Sequence, residues 1–203
     1  NRYQELHNVE VVHMVNMGKA LYAQPGMEKH FRHNGLFIGA PTRKAVAEGR
    51  ADYTPCFFSE IPGLFRNNVL PVDVALVTVA PPDRHGFCSL GVSVDYTLQV
   101  IKSARIVIAE VNPNMPRTRG DSCVRVEEID YFVPCDLPIL ELPRPAIGEV
   151  ETEIGRNISR LIEDGATLQL GIGAIPDAVL SCLTEKNDLG IHSEMFSDGV
   201  MEL

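Results

Sequence analysis

No run of this sequence is long and apolar enough to read as a transmembrane helix. Basic residues are also in deficit, with 18 Lys and Arg against 27 Asp and Glu and a formal net charge of −9. That balance argues against general nucleic-acid binding, which leaves a basic footprint. It does not exclude an anionic ligand, because local donors can act against the global sign. The five cysteines (Cys56, Cys88, Cys123, Cys135, Cys182) form no CxxC pair, and reduced thiols in the cytoplasm are the expectation. His7, His13, His30 and His33 are too scattered for a metal signature, so surface or hydrogen-bonded core histidines are expected. HExxH, P-loop lysine and serine-elbow motifs are missing, as are low-complexity tracts and repeats. No secretory pattern opens the chain, but it begins with Asn1 rather than Met, which makes that absence weak evidence.

What is present fits a globular protein of one large domain, or one domain plus part of another. Val72–Ala80 and Arg105–Val111 are apolar, β-branched runs that read as buried parallel strands. Shorter strands are expected at Leu36–Ala40, Tyr53–Phe58, Ile129–Val133 and Ile139–Leu142. Thr42 is expected to cap a helix through Gly49, and Ser93 one that runs to Ser103. Ile61–Asn68 reads as a short helix with Pro62 in its first turn. Pro81–Gly91 reads as a loop, with Asp83, Arg84 and His85 as candidates for an acyl pocket or for a structural turn. Asn112–Gly120 is another loop, from which Arg117 and Arg119 could meet phosphates or solvent. Pro138 to Pro145 marks a domain boundary. Beyond it, Val150, Ile154, Ile158, Leu161 and Ile162 lie on one helix face, which Gly165 can end. The alternation predicts an α/β fold with mainly parallel strands flanked by helices.

The most informative stretch runs from Gly165 to Gly199, GATLQLGIGAIPDAVLSCLTEKNDLGIHSEMFSDG. Thr167–Leu170 suits a strand, and Gly171 and Gly173 break it. Pro176 suits the first turn of a helix, and Ala178, Val179, Cys182 and Leu183 recur at helical spacing. Lys186 and Asn187 suit that helix's end. Ile191 and His192 open the next strand, which delivers Glu194. Ligands in open parallel sheets sit at the carboxyl ends of strands. If the two strands are neighbours, Glu194 faces the glycine loop and the first helical turn, whose free N–H groups favour an anion or oxyanion. A carboxylate in that setting can attack an activated acyl group.

These residues carry a resemblance. GIGAIPDAVL followed by DLGIHSEMFSDG resembles the acetyl-CoA hydrolase/transferase family, which includes 4-hydroxybutyrate, butyrate and acetate CoA-transferases. VALVTVAPPDRHGFCSLGVS (Val74–Ser93) and AEVNPNMPRTRGDS (Ala109–Ser122) agree with it, in the same order. The resemblance implies the CoA-transferase architecture, with two related α/β domains and the active site between them. Residues 1–145 would be the first domain, and residues 146–203 the truncated opening of the second. Because Leu203 follows the most distinctive motif so closely, the chain is expected to be an amino-terminal part of a longer protein, inactive if it ended there.

The resemblance further implies that Glu194 is the nucleophile and that Gly171, Ile172, Gly173, Ala174 and Ile175 form the CoA-binding loop. The implied reaction moves CoA between an acyl-CoA and a short-chain carboxylate, by a ping-pong route through a glutamyl-CoA thioester. No metal or redox cofactor is implied, and no nucleic-acid or membrane partner. A homodimer is the expected assembly on the general base rate of soluble oligomers alone. Asp198 and Glu202 are nearby alternative carboxylates, with SDG reading more readily as a turn, and His192 could support Glu194. Two other functions use the same residues. An acyl-CoA hydrolase would let water intercept the thioester. A dinucleotide- or CoA-binding module would use Gly171, Gly173 and the acidic residue some 20 positions on, although Pro176 occupies the position of that fingerprint's third glycine.

Overall fold

A computed structural model describes residues 2–203. The chain divides into two compact units, one running to Leu140 and the other from Glu141 to Leu203. The first unit opens with a parallel sheet of order β1-β2-β3, made by β1 (Val9–His13), β2 (Phe31–Gly35) and β3 (Ala51–Tyr53). The second of these strands lies ahead of the expected Leu36–Ala40, and its sequence, FRHNG, shows no apolar run. Tertiary hydrogen bonds hold its buried half, His33–Gly35. His33 Nδ1 donates to the Val11 carbonyl at 2.9 Å, and Asn34 Nδ2 donates to Glu10 Oε1 at 2.9 Å. Thr54 Oγ1 donates to Asn34 Oδ1 at 2.8 Å. Buried polar side chains are tolerated when paired in this way.

Helix α1 (Ala40–Ala47) joins β2 to β3. Gly39 is its N-cap and Pro41 lies in its first turn, so Thr42 sits inside the helix instead of capping it. Strand β3 lies ahead of the expected Tyr53–Phe58 and shares only Tyr53 with it, and Phe58–Glu60 is a 3-10 turn leading into α2 (Ile61–Arg66), with Pro62 in the first turn as predicted.

A second parallel sheet, of order β4-β6-β8, combines β4 (Val74–Val79), β6 (Ile106–Val111) and β8 (Tyr131–Pro134), with Val74 opposite Ile106 and Ile108 opposite Tyr131. Ala75, Val79, Val107 and Ala109 bury one face against Leu90, Ile101 and Val124. The other face is open, with Leu76 77% exposed, so these strands are covered on one side rather than on both. Inside the expected Pro81–Gly91 loop lies β5 (Phe87–Ser89), antiparallel to β7 (Cys123–Arg125). Helix α3 (Thr97–Ser103) starts later than a Ser93 cap would put it. Asp95, just before the N-cap Tyr96, accepts the Thr97 N–H at 3.0 Å and the Thr97 hydroxyl at 2.7 Å. The expected strand at Ile139–Leu142 does not form, and Leu140 and Leu142 are exposed.

The second unit contains α4 (Glu149–Ser159), β9 (Thr167–Leu168), α5 (Ala174–Ser181), β10 (Gly190–Ile191) and α6 (Asp198–Glu202). The apolar positions expected to face the core from α4 do so only in part. Val150 and Leu161 are 68% and 83% exposed, whereas Ile162 packs with Leu168, Val179, Leu180 and Leu183. Helix α4 meets α5 through Gly155 instead, where a Cβ would stand 2.6 Å from the Ala178 carbonyl oxygen. Gly165 does not end α4. It turns at φ +77° ahead of β9, with its N–H donated to Asn187 O at 2.9 Å. Among the described residues, no helix is long and apolar enough to cross a membrane. No group of three or more His, Cys, Asp or Glu there could hold a metal ion. All five cysteines are free thiols.

Two stability predictions follow from this packing. Gly155→Ala gains helix propensity of about 1 kcal/mol, but it forces backbone apart at a crossing with no flexible side chain to yield, and overpacking costs about 1–3 kcal/mol. Net destabilisation is expected in a denaturant titration. The second concerns His13. Its Nε2 accepts from the Tyr22 hydroxyl, its Nδ1 faces Met14 O at 3.2 Å, and its ring stacks on His33 with centroids 4.4 Å apart. Burial, with His33 alongside, holds its pKa below the ordinary 6.5. The unfolded chain therefore takes up a proton first as pH falls, so the associated stability is full above about 6.5 and is lost toward the depressed folded value. Melting curves from pH 7 to 5 should show the native protein losing stability relative to His13→Gln.

Candidate active site

Strands β9 and β10 are parallel neighbours, with Gly190 opposite Thr167 and Ile191 opposite Leu168. Their carboxyl ends therefore lie along one edge, where ligands bind in open α/β sheets. The chain leaves β9 into Gly171–Gly173, and leaves β10 through His192 and Ser193 to Glu194. The ladder continues one step further, as His192 N–H donates to Leu168 O at 2.9 Å. Beyond it the Ser193 hydroxyl takes over. It donates to Leu170 O at 2.8 Å and accepts the N–H groups of Leu170 at 3.4 Å and Met195 at 3.3 Å. Glu194 follows, exposed, on the wall of an open hollow of about 620 Å³ that it shares with Gln169, Ile191, His192 and Ser193. A hollow of this size lies within the ~300–1,000 Å³ typical of small-molecule clefts. His192 and Glu194 thus line one cleft, while the Ser193 hydroxyl is committed to the backbone.

The glycine segment is a loop feeding a helix, as its sequence predicts. Gly173 has φ +120° and ψ −177° and is the N-cap of α5. L-residues avoid that backbone region, so a side chain at this position would be strained. No side chain caps the helix, which leaves the N–H groups of the first turn, Ala174 and Ile175 among them, without intrahelical partners. The positive end of the helix dipole adds to their pull on an anion. Ile172 and Ile175 are 49% and 45% exposed, so apolar surface flanks these donors. Helix α5 ends at Ser181 rather than near Lys186, with turns filling the interval. The structure therefore joins the loop to the end of β9 and Glu194 to the end of β10. Gly171–Ile175 themselves do not line the Glu194 hollow.

Asp83, Arg117, Asp198 and Glu202 have structural partners. Asp83 accepts the N–H groups of Phe87 at 3.0 Å and His85 at 2.8 Å. Those bonds, with Arg117 nearby, hold its carboxyl below the usual carboxylate range. Arg117 donates to Pro81 O at 2.8 Å and Phe87 O at 3.0 Å. The Asp83–His85 segment is a built turn, and Arg117 closes it. Asp198 and Glu202 both pair with Arg144, at 3.2 and 2.5 Å, and SDG starts α6 instead of forming an isolated turn. Sequence reasoning missed the part played by Ser193; its only signal there was a hydroxyl residue directly before the glutamate.

Comparison with known proteins gives this geometry a context. Residues 1–140 match the model of the acetyl-CoA hydrolase/transferase N-terminal domain. The chain is 64% identical over 195 residues to the 4-hydroxybutyrate coenzyme A transferase of Clostridium kluyveri, an overlap of 96% of this chain and 46% of that protein. The crystal structure of RipA from Yersinia pestis superposes with a TM-score of 0.93 at 30% identity, over 98% of this chain and 48% of that one. The 4-hydroxybutyrate CoA-transferase of Porphyromonas gingivalis gives a TM-score of 0.76 at 39% identity, over 97% of this chain and 52% of that one. The chain spans about half the length of the curated relatives it matches. Its mainly parallel α/β fold has the CoA-transferase architecture. A domain-length match and close identity to CoA-transferases, on a fold with a glycine loop and a glutamate at adjoining strand ends, establish that the chain belongs to the acetyl-CoA hydrolase/transferase family.

Proposed function

We propose that this chain is part of an acyl-CoA:carboxylate CoA-transferase and that Glu194 is its nucleophile. The observation that carries the proposal is the parallel pairing of β9 with β10, which puts the chain's exit into the glycine loop and its exit toward Glu194 side by side. The Glu194 carboxylate attacks the thioester carbonyl of an acyl-CoA and expels CoA thiolate, leaving an acyl-glutamyl anhydride. The thiolate then attacks the glutamyl carbonyl, releasing the first acid and forming a glutamyl-CoA thioester. A second carboxylate attacks that thioester, and the same steps run in reverse. Covalent catalysis divides one difficult exchange into easier ones, and every bond made and broken belongs to the enzyme or its two substrates.

In this account Gly171, Ile172, Gly173, Ala174 and Ile175 cradle CoA through backbone groups, so the absence of side chains at Gly171 and Gly173 allows close approach. The uncapped first turn of α5 favours negative charge. Residues 146–203 would be the opening of a second, related domain, the remainder of which lies in the longer polypeptide. The acid is a short-chain carboxylate. Relatives from Clostridium kluyveri and Porphyromonas gingivalis are 4-hydroxybutyrate CoA-transferases, which makes 4-hydroxybutyrate the first to test. Free thiols suit a reducing compartment, so we place the enzyme in the cytoplasm, with a homodimer as the expected assembly.

Mass spectrometry of the full-length protein after incubation with acyl-CoA alone tests the reading. A CoA-sized adduct on the peptide that holds Glu194, absent in Glu194→Gln, is expected, together with a loss of turnover of at least about 10³-fold in that variant. Turnover without any adduct would contradict it, as would an adduct on another peptide. Steady thiol release without an acceptor acid would make the enzyme a hydrolase working through the same glutamate.

A further inference from the structure

Ser193 lies beside the proposed nucleophile, and its bonding explains how the chain leaves the sheet there. In a parallel ladder that continued past His192, the Leu170 N–H would pair with the His192 carbonyl and the Leu170 carbonyl would accept from the Glu194 N–H. The Ser193 hydroxyl takes both places, donating to Leu170 O at 2.8 Å and receiving Leu170 N–H at 3.4 Å. It also accepts the Met195 N–H at 3.3 Å, which folds the chain back over Glu194. One oxygen therefore ties three backbone groups on both sides of the site. Leu170 is the last residue before Gly171, so the same oxygen fixes the root of the glycine loop and the root of the glutamate.

We infer that Ser193 is the positioning residue of this site, setting where the Glu194 carboxylate stands relative to the glycine loop. The inference rests on the proposed role of Glu194. The hydroxyl has no place for a substrate, because all of its bonds are internal. Without it, two groups on Leu170 need new partners, and the nearest are the backbone atoms of the segment that carries Glu194. Regular pairing would then draw Glu194 into the strand and re-aim its side chain. Threonine keeps the oxygen and its Cβ position, whereas alanine loses the oxygen alone.

The test uses the full-length enzyme and measures the rate of glutamyl-CoA adduct formation, the KM for acyl-CoA and the melting temperature for native protein, Ser193→Ala and Ser193→Thr. Misplacing a reacting group by about 1 Å can cost ~10²-fold. Ser193→Ala is expected to form the adduct about ten- to a hundredfold more slowly at saturating acyl-CoA, with KM within about threefold and Ser193→Thr within about fivefold of native. Adduct formation by Ser193→Ala at the native rate overturns the inference and leaves the role of Glu194 standing. A parallel loss in both variants that follows melting temperature also overturns it, by making the effect a general loss of structure. If native enzyme turns over without any adduct, the glutamate reading itself falls, and this inference with it.

Discussion

The register between two very short strands governs the whole site. Only Gly190–Ile191 and Thr167–Leu168 pair as strand, in parallel, yet that pairing decides which loop ends face each other. A slip of one residue would turn each side chain to the opposite face of the sheet, moving the whole His192–Glu194 segment relative to Gln169 across the hollow. Two rungs fix a register weakly by themselves. Side-chain and packing constraints around them supply the rest, with the Ser193 hydroxyl bonding Leu170 where the ladder stops and Leu168 buried among Val179, Leu180 and Leu183.

The helix above those strands is held with similar closeness. Gly155 lets α4 approach the α5 backbone at a distance no larger side chain permits, and α5 starts at Gly173, directly after the glycine loop. Packing in the unit's interior is in this way continuous with the geometry of the loop. The local chemistry agrees with that placement, since an uncapped helix start attracts negative charge, whereas the chain as a whole carries a net charge of −9. Recognition of an anionic ligand here would depend on a few oriented N–H groups rather than on the protein's overall field.

Much of this was legible in the sequence wherever local pattern and tertiary role coincide. Strands β4 and β6 are β-branched apolar runs and form where expected. The glycine loop, its helix and the following strand were readable from glycine, proline and apolar spacing. Legibility failed where tertiary contacts outweigh local pattern. The FRHNG strand is polar, and its burial depends on partners some 20 residues away in sequence, such as Val11, Glu10 and Thr54. Strand β5 lies in a stretch rich in proline and glycine, and only its pairing with β7 reveals it. Ile139–Leu142 has the composition of a strand and no neighbour to pair with. Glu194 stands out as a candidate through its motif, but the reach of the Ser193 hydroxyl to Leu170 spans 23 positions and leaves no periodic trace.

On the proposed mechanism, one carboxylate and one glycine loop would serve the same thioester. A crystal structure of the full-length enzyme with CoA bound tests it most directly. The CoA sulfur is expected to be bonded to the Glu194 carbonyl carbon or in contact with that carboxylate, with the cofactor lying against the backbone of Gly171–Ile175. CoA held elsewhere, with Glu194 open to bulk solvent and the glycine loop unoccupied, would contradict it.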